Sequence, residues 1–513
     1  MSAAYVGQDL KAEFGNIPPC MLPLGNKRLY KYQVELAEEN EDVYISLPES
    51  YKLSHNDKTW FTKNDIEIIY LPDEITIGES LVTAINTIVF KKSPSLRILF
   101  GDTLIKPVPS GEDIIITSEK NDGYSWGTYE DNESIIAGYF SISDPGLLVR
   151  SIIKARWNFV DGIKIYNENK SLRNTSDLDW YDFGHINKYY QSKAAFTTQR
   201  AFNDLKINKD WIEKRSSNNL KIKAEANWFS SLPPQLKIYI PQYLGDAVDE
   251  HGNYSYQLEY LYNTPLNELY IFSEIEPAIW NKIIKKCLAF VDDCLKFKKS
   301  FSNSDSNSLR GLFSDKTRAR IVLFLEEQQI SIKKEWSLNS GNPTSLEKMI
   351  DETECFIDSI LVGDETIVHG DFCFSNILYD FRTDRIKVID PRGMDAKGDL
   401  KIYGNIHYDI TKLAHSIIGL YDWIISGFYE LNVNTVSGHI DFKINLNKDV
   451  SKIQFNFVSL VNSKYNISYK TLCAMQVHLF ISMLPLHNDD QRRQYALLAN
   501  AFRLFKEFKE AEI

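Results

Sequence analysis

The chain has 513 residues, of which 43% are hydrophobic and 25% charged, and its net charge is −11. That length exceeds what one hydrophobic core usually supports, so two or three domains are expected. The acidic balance, without a long stripe of Lys and Arg, argues against a nucleic-acid-binding surface. No run approaches 18 uninterrupted apolar residues, which argues against a membrane span.

The six cysteines are scattered along the chain, without any Cys-x-x-Cys spacing. This distribution predicts free thiols in a reducing compartment, and it supports neither a zinc site nor a disulfide framework. The first residues, "MSAAYVGQDLKAEFG", lack the basic and apolar segments of a secretory signal. We therefore expect a cytoplasmic protein.

Residues from about 40 to 170 alternate β-rich runs with helical or turn segments. The strand candidates are "DVYISL", "IEIIYL", "LRILFGD", "DIIITS" and "IIAGYF", and "ESLVTAINTIV" has helical spacing between two of them. Such alternation predicts an α/β layer with a largely parallel sheet.

The pattern changes after about residue 200. The pieces "WIEKRSS", "LKIYIPQYL" and "YSYQLEYLY" are strand-like, whereas long amphipathic stretches predict a mainly helical region from about Asn281 onward. The Ser- and Asn-rich "SFSNSDSNS" is typical of a loop. We therefore predict one domain at 1–200, a small lobe at 201–275 and a mainly helical lobe at 276–513.

Polar residues follow two apolar runs in "IVHGDFCFSNILYD" and "IKVIDPRG". The pieces "NILYD" and "IKVID" are able to pair as a hairpin, which would bring Asn376 and Asp390 together. These two residues offer one neutral and one charged oxygen, the ligand type that Mg²⁺ prefers. Asp371 is suited to orient a hydroxyl and accept its proton, which is the main demand that phosphoryl transfer places on a protein side chain.

The same residues carry a family resemblance. His369-Gly-Asp371, the Asn376 five residues later and the "VIDPRG" segment resemble the catalytic and metal loops of the aminoglycoside phosphotransferase and choline kinase family. The resemblance implies an α+β bilobal protein-kinase-like domain that uses ATP and Mg²⁺ on a small-molecule hydroxyl. It implies that Asp371 is catalytic, that Asn376 and Asp390 bind the metal, and that His369 is structural. The later "GNIHYDITKLAHSI" is similar to a family helix in which Asp409 would hold the catalytic loop's backbone.

The family also implies a lysine and glutamate pair ahead of this site. A strand lysine grips the α- and β-phosphates and a helix glutamate keeps it pointed inward. Lys214 and Glu225 in "WIEKRSSNNLKIKAEANWF" are the candidates, with Lys221 or Lys223 as alternatives to Lys214.

The adenine end of the nucleotide site is assigned by resemblance alone. The segment "YSYQLEYLYNTPLNELY" resembles the family's hinge, which implies that backbone groups of Glu259, Tyr260 and Leu261 meet the adenine. The chain departs from protein kinases because "LKINKD" contains no glycine-rich loop to cover the phosphates.

The amino-terminal part resembles a second family. The segments "FGNIPPCMLPLGNKRLYKYQVELA", "LRILFGDTLI" and "DLDWYDFGHINKYY" are similar to motifs of the sugar-phosphate nucleotidyltransferases. This implies a Rossmann-like α/β domain in which Asp102 and Asp182 hold Mg²⁺ near a second nucleotide. Two departures weaken it: the glycine-rich phosphate cradle is absent, and Pro19 or Cys20 replaces the motif lysine.

Three functions are therefore open. The first is an ATP-dependent kinase of a sugar, polyol or amino alcohol; the second is a bifunctional kinase and nucleotidyltransferase; the third is a nucleotide-binding pseudoenzyme. The intact Asp371, Asn376 and Asp390 count against the third. The fusion of the two domain types resembles proteins that make precursors of bacterial capsules and other surface polysaccharides.

Overall fold

The computed structural model describes residues 1–88, 95–119, 128–129, 134–175, 178–198, 205–216, 218–299, 309–360, 364–395 and 398–512. The chain divides into two compact units, one formed by Met1–Arg200 with Phe272–Glu274 and one by Ala201–Ile271 with Ile275–Ile513. The loop predicted for "SFSNSDSNS" falls at 300–308, outside the described residues. Within the described ranges, no helix is long and apolar enough to cross a membrane.

The first unit alternates helices and strands. Its described helices are α1 (Gln8–Phe14), α2 (Leu29–Val34), α3 (His55–Lys63), α4 (Ile77–Thr87), α5 (Pro145–Lys154), α6 (Phe159–Lys170) and α7 (Ile186–Thr198). Its described strands are β1 (Pro23–Leu24), β2 (Lys27–Arg28), β3 (Tyr44–Pro48), β4 (Glu67–Leu71), β5 (Leu96–Leu99), β6 (Thr103–Lys106), β7 (Ile114–Glu119), β8 (Thr128–Tyr129), β9 (Ser134–Ile142), β10 (Arg173–Thr175) and β11 (Asp179–Asp182).

The main sheet of this unit is mixed. Its order is β10-β7-β9-β5, and β9 runs antiparallel to both of its neighbours, whereas β10 is parallel to β7. The strands β3 and β4 form a separate parallel pair. The prediction of a largely parallel sheet is therefore wrong for the main sheet, because a strand and helix pattern locates strands but does not show that β9 inserts between β5 and β7.

The strand β9 lies at the centre of the unit's core. Phe140 packs with residues of α4, α5 and α6, while its neighbour Tyr139 belongs to a cluster on the other face with Ile105 and Ile116. Both faces of β9 are thus covered, which explains why "SIIAGYFSI" is a continuous apolar run rather than an alternating one.

The second unit begins with a small sheet and continues with helices. Its helices, wholly or mainly within the unit, are α8 (Asn219–Ser231), α9 (Leu266–Phe272), α10 (Pro277–Cys294), α11 (Ser314–Gln328), α12 (Leu346–Asp358), α13 (Ile406–Ile417), α14 (Tyr421–Ile425), α15 (Ser451–Tyr465), α16 (Tyr469–Met483) and α17 (Gln491–Glu510). Its described strands are β12 (Leu205–Ile207), β13 (Trp211–Arg215), β14 (Tyr243–Val248), β15 (Tyr254–Glu259), β16 (Thr264–Pro265), β17 (Lys298–Lys299), β18 (Glu335–Leu338), β19 (Thr344–Ser345), β20 (Glu365–Ile367), β21 (Ile377–Asp380), β22 (Arg385–Val388), β23 (Tyr403–Gly404), β24 (Tyr429–Asn434) and β25 (His439–Ile444).

The strands β12-β13-β15-β14 form an antiparallel sheet, and α8 packs against it. The predicted strand "LKIYIPQYL" is largely wrong, because a 3-10 helix covers Pro234–Tyr239 and β14 begins only at Tyr243. Prolines at 233, 234 and 241 fix φ and remove hydrogen-bond donors, which disfavours a sheet strand there.

The helical part of the unit is built around α16, which is buried on all sides and packs against α11, α12 and α17. A four-stranded sheet, β19-β18-β25-β24, also lies in this region, which the sequence predicted as mainly helical. Half-buried and exposed residues alternate along β24, and buried and more exposed residues alternate along β25. The same two-residue period in the sequence was the overlooked signal.

The predicted hairpin is confirmed. The strands β21 and β22 pair antiparallel, with Ile377 opposite Val388 and Asp380 opposite Arg385. This register places the beginning of β21 beside the end of β22, so the residues that flank the hairpin's open end come together.

Candidate active site

The loop that follows β20 is held in shape by a buried histidine. The Nδ1 of His369 accepts the backbone N–H of Asp371 at 3.3 Å, and its Nε2 donates to the carbonyl of Ile389 at 2.9 Å. His369 is fully buried, and burial lowers its pKa to about 4. The imidazole is therefore neutral at ordinary pH and joins two loops, which is a structural role.

Asp409, in the first turn of α13, holds the same loop from the other side. One of its carboxylate oxygens accepts the backbone N–H of His369 at 2.7 Å and the other accepts that of Gly370 at 2.8 Å. Burial raises the pKa of Asp409 to about 7, and the two backbone N–H groups oppose that rise. The position of the His-Gly-Asp segment is thus fixed by a side chain about 40 residues away in the sequence.

Asp371 has one contact at each carboxylate oxygen. Oδ1 lies 2.7 Å from the Nζ of Lys412 on α13, and Oδ2 accepts the Nδ2 of Asn376 at 3.2 Å. Burial raises the pKa of Asp371, but Lys412 outweighs it and holds the pKa below its usual value. The lowered pKa keeps this carboxylate ionised, and its side chain, which is 40% exposed, is accessible to a small molecule.

Asn376 closes a short 3-10 helix (Phe374–Asn376) that leads into β21. Its Nδ2 also donates to the backbone carbonyl of Asp371 at 2.9 Å, so both bonds to Asp371 use the amide nitrogen, while the amide oxygen accepts the Ser375 hydroxyl at 3.4 Å. The N–H of Ile389 donates to the carbonyl of Asn376 at 3.0 Å, so the hairpin brings Asn376 beside Asp390.

Asp390 has a left-handed backbone, with φ of 56°. Asp tolerates this region better than most residues. A Cβ at Gly393 would lie 2.0 Å from the carbonyl of Ala224, so only glycine lets the segment after Asp390 pass this close to α8. The close approach brings Asp390 next to the side chains of α8.

A buried lysine joins these elements. The Nζ of Lys214, on β13, lies 2.8 Å from Glu225 Oε2 on α8 and 2.9 Å from Asp390 Oδ1. Tyr256, opposite Lys214 in the sheet, donates its hydroxyl to the same Glu225 oxygen at 2.7 Å. Burial lowers the pKa of Lys214, but the two carboxylates outweigh it and raise the pKa above its ordinary value. The lysine is therefore charged and faces Asp390.

The alternative lysines lie elsewhere. Lys221 is 53% exposed and reaches only the second oxygen of Glu225, at 3.8 Å, while the ammonium of Lys223 lies over the ring of Tyr254. Among the three candidates, Lys214 alone forms an ion pair with Asp390 in the described part of the chain.

The residues predicted to meet adenine follow β15. The N–H of Glu259 donates to the carbonyl of Gln242, and the N–H of Tyr260 donates to the carbonyl of Asp210, each at 2.9 Å. Two of the three predicted backbone N–H groups are thus engaged by carbonyl groups of residues that precede β14 and β13, so contacts to adenine would fall to Leu261 and to the carbonyl groups.

In the first unit, Asp102 and Asp182 lie side by side. A Cβ at Gly184 would be 2.6 Å from Asp102 Oδ2 and 3.2 Å from Asp182 Oδ1, so both carboxylates border this glycine. The pairing of β6 with β11 produces the arrangement, and the N–H of Gly184 donates to Asp182 at 2.8 Å. Burial and the charge of Asp182 raise the pKa of Asp102 to about 6.

Replacing Asp102 with Asn should stabilise the protein at alkaline pH. The pKa of this carboxyl is about 6 in the folded protein and near its ordinary 3.8 when unfolded, so its contribution to stability falls as pH rises from about 4 to 6. Without a metal ion, the melting temperature of Asp102→Asn should exceed that of the parent by about 2–6 °C at pH 8, with little difference near pH 4.

Thermal melts of both proteins at the two pH values measure this difference, with the exposed Glu49→Gln as control. Equal melting temperatures at pH 8 would show that ionised Asp102 costs the fold nothing.

The other predicted features of the first unit give less support to a nucleotide site. Pro19 and Cys20 lie in a 3-10 helix (Pro19–Met21), and neither side chain supplies the positive charge of the motif lysine; the buried Arg28 donates to the carbonyl of Met21 in this helix at 2.7 Å. A cavity of about 430 Å³ lies beside β3 and β5, and neither Asp102 nor Asp182 is among its lining residues. Within the described residues, no group of three or more His, Cys, Asp or Glu is arranged to hold a metal ion.

Sequence reasoning missed Lys412 and Tyr256. Lys412 follows Asp409 by three residues, so a helix that begins near Asn405 puts both on the face towards the loop of His369 and Asp371, and this spacing was an available signal. Tyr256 had no such signal, because its contact with Glu225 depends on the pairing of β13 with β15.

No protein-family model matches the sequence, and no curated protein matches it. Among solved structures, the chain is similar to a type VIII aminoglycoside-3'-phosphotransferase, with 11% identity, a TM-score of 0.30, and coverage of 62% of this chain and 99% of that one. It is also similar to a thermostable mutant of aminoglycoside phosphotransferase APH(4)-Ia, with 11% identity, a TM-score of 0.37, and coverage of 61% of this chain and 98% of that one. A third similar structure is the GDP complex of aminoglycoside 2'-phosphotransferase-IIIa, with 14% identity, a TM-score of 0.36, and coverage of 60% of this chain and 90% of that one.

Proposed function

We propose that this protein is an ATP-dependent phosphotransferase that phosphorylates a hydroxyl of a small molecule. The observation that supports it best is the contact of Lys214 with both Glu225 and Asp390, next to Asp371 and Asn376. Phosphoryl transfer needs a cation that binds phosphate, oxygen ligands that bind a metal ion, and a carboxylate that a hydroxyl can reach. These residues would supply all three.

In the proposed reaction, Asp371 orients the acceptor hydroxyl and takes its proton. The hydroxyl oxygen forms a bond to the γ-phosphorus of ATP, the bond from that phosphorus to the β,γ-bridging oxygen breaks, and ADP leaves with the electron pair. Lys412 keeps Asp371 ionised before transfer. Because Lys412 also occupies Oδ1 and so competes with the acceptor for it, the hydroxyl approaches Asp371 from the side of the carboxylate that Lys412 leaves open.

Lys214 supplies a fixed positive charge for the nucleotide's phosphates. Glu225 and Tyr256 hold it in place, so little ordering of this side chain is left for the binding step. Asp390 and the amide oxygen of Asn376 fit the hard-oxygen preference of Mg²⁺, which would neutralise phosphate charge when bound.

The rest of the assignment is also proposed. The chain would act in the cytoplasm with a nucleotidyltransferase-like domain at 1–200, a kinase amino-terminal lobe at 201–275 and a carboxy-terminal lobe at 276–513. Its product would serve the synthesis of a capsule or another surface polysaccharide, as the resemblance of the fused domains implies.

A substrate panel tests the kinase proposal. The full chain is incubated with Mg·ATP and sugars, polyols, their phosphates and acids, or amino alcohols, and ADP release is measured over the acceptor-free rate. Acceptor-dependent ADP release supports the proposal. ATP that fails to bind in calorimetric titrations, together with no acceptor-dependent release, would reject it.

Nucleotidyl transfer is a second candidate function, favoured by the position of the Asp102 and Asp182 carboxylates, which both border Gly184. Two carboxylates this close repel each other unless a cation lies between them. The missing glycine-rich cradle and motif lysine remove most of the donors that would hold a triphosphate, so we expect this activity to be weak or absent.

Pyrophosphate release from CTP, GTP, UTP or dTTP, with sugar or alcohol phosphates as acceptors, measures the second activity in the full chain. Our expected result is release close to the background of Asp102→Ala. Robust release that Asp102→Ala abolishes would instead make the protein a bifunctional kinase and nucleotidyltransferase.

A further inference from the structure

The two sides of Asp371 differ in charge. Asn376 contacts one carboxylate oxygen on the side of Asp390, and Lys412 contacts the other. In the proposed kinase, the metal ion and the nucleotide would therefore lie on the Asn376 side, which leaves the Lys412 side for the acceptor.

Two more cations gather on the Lys412 side, around Tyr408 on the same helix. Lys316 of α11 donates its Nζ to the Tyr408 hydroxyl at 3.0 Å, and the guanidinium carbon of Arg392 lies 5.9 Å from the centre of the Tyr408 ring. Lys412 follows Tyr408 by four residues, one helical turn. Lys316, Arg392 and Lys412 form what we call the cationic cluster.

The cluster carries more positive charge than its surroundings neutralise. Lys412 pairs with Asp371, whereas neither Lys316 nor Arg392 forms an ion pair within the described part of the chain. Burial alone would raise the pKa of Tyr408, yet the three cations hold it below its ordinary value, which agrees with their convergence on this ring. Burial and the neighbouring cations also lower the pKa of Lys316.

Like charges that converge in a partly buried place destabilise a fold unless an opposite charge joins them. Arg and Lys are the side chains that bind phosphate and carboxylate groups, and a partly filled set of donors beside a reacting carboxylate is where such a group would bind. An ammonium-bearing acceptor would be repelled by the same three residues.

We propose that the acceptor is a hydroxy compound that also bears an oxyanion group, a phosphate or a carboxylate, and that Lys316 and Arg392 bind this group. The proposal rests on the proposed kinase function and narrows it, because it removes amino alcohols and favours sugar or polyol phosphates and acids. The reaction is unchanged: the free hydroxyl gains the γ-phosphoryl group, and its proton passes to Asp371.

Matched acceptors test the charge preference in the full chain. Glycerol, glycerol 3-phosphate and glycerate, the corresponding ribitol and ribitol 5-phosphate pair, and ethanolamine are compared by acceptor-dependent ADP release with Mg·ATP. We expect kcat/KM for the anionic members to exceed that of the neutral ones at least tenfold, with ethanolamine lowest. The phosphate and carboxylate members distinguish the two anionic groups.

Two variants test the assigned residues. Lys316→Gln and Arg392→Gln should each raise KM for the anionic acceptor about tenfold to a hundredfold, the effect of losing a hydrogen bond to a charged group. The matched control, Lys333→Gln, changes a 75% exposed lysine and should leave KM as it is. Thermal-shift measurements with the same compounds detect binding without turnover. Anionic acceptors should raise the melting temperature of the unchanged protein but not that of either variant.

Acceptor-dependent ADP release that favours glycerol or ethanolamine, with KM unchanged in both variants, would overturn the charge preference while the kinase function stands. An absence of both turnover and stabilisation with every anionic compound would also overturn it. If the unchanged protein does not bind ATP, the kinase function itself is rejected.

Discussion

Replacing Asp371 with Asn is expected to remove phosphoryl transfer while nucleotide binding stays close to that of the unchanged protein. The amide keeps the size and the contact with Asn376, but it cannot accept the hydroxyl proton. A positioned proton acceptor contributes about 10²-fold or more, so turnover should fall by at least that factor. ADP release and calorimetric titration with Mg·ATP measure the two effects separately.

Asp441→Asn is the matched control, because Asp441 lies on β25 with an exposed side chain that pairs with His439. It should retain full turnover. A thermal melt of Asp371→Asn shows whether Lys412, which loses its carboxylate partner, still allows the variant to fold. Undiminished turnover in a folded Asp371→Asn protein would remove Asp371 from the catalytic role.

Replacing Asp390 with Ala should abolish Mg²⁺-dependent binding of ATP, and replacing Asn376 with Ala should weaken it less. Asp390 supplies the charged ligand and Asn376 only a neutral one, so the second variant keeps the stronger attraction for the cation. Lys214 retains Glu225 in the absence of Asp390, which should preserve the fold. Titrations of ATP with and without Mg²⁺ measure both variants.

Asp384→Ala provides the comparison, since Asp384 lies in the turn of the same hairpin, at its far end, and pairs with Lys286 on the surface. It should bind Mg·ATP as the unchanged protein does. If Asp390→Ala and Asn376→Ala both bind with unchanged affinity, the metal site lies elsewhere.

The local motifs could be found from sequence because their residues are close in the chain. Asn376 lies five positions after Asp371, and one hairpin connects Asn376 to Asp390, so alternation and turn length were sufficient to predict the β21 and β22 pairing. Lys214 and Glu225 were located by resemblance, and their contact depends on a strand and helix that adjoin in sequence.

Contacts between distant segments could not be found in the same way. The position of β9 between β5 and β7 depends on the order of strands in a sheet, which a pattern of apolar residues does not encode. The convergence of Lys316 and Arg392 with Lys412 depends on the packing of α11 and α13 with the loop after β22, and in the sequence neither Lys316 nor Arg392 can be distinguished from a solvated surface residue.

The helix α13 holds the loop of His369 and Asp371 twice, through Asp409 at the backbone of residues 369 and 370 and through Lys412 at Asp371. We therefore expect this loop to take its final shape late in folding, because these contacts close about 40 residues of chain and cost loop entropy before they stabilise anything. A local opening that releases α13 would dissolve the site while the β21 and β22 hairpin, held by its own short-range pairing, stays intact. Activity in this protein should accordingly be more sensitive to mild denaturant than its overall helix content.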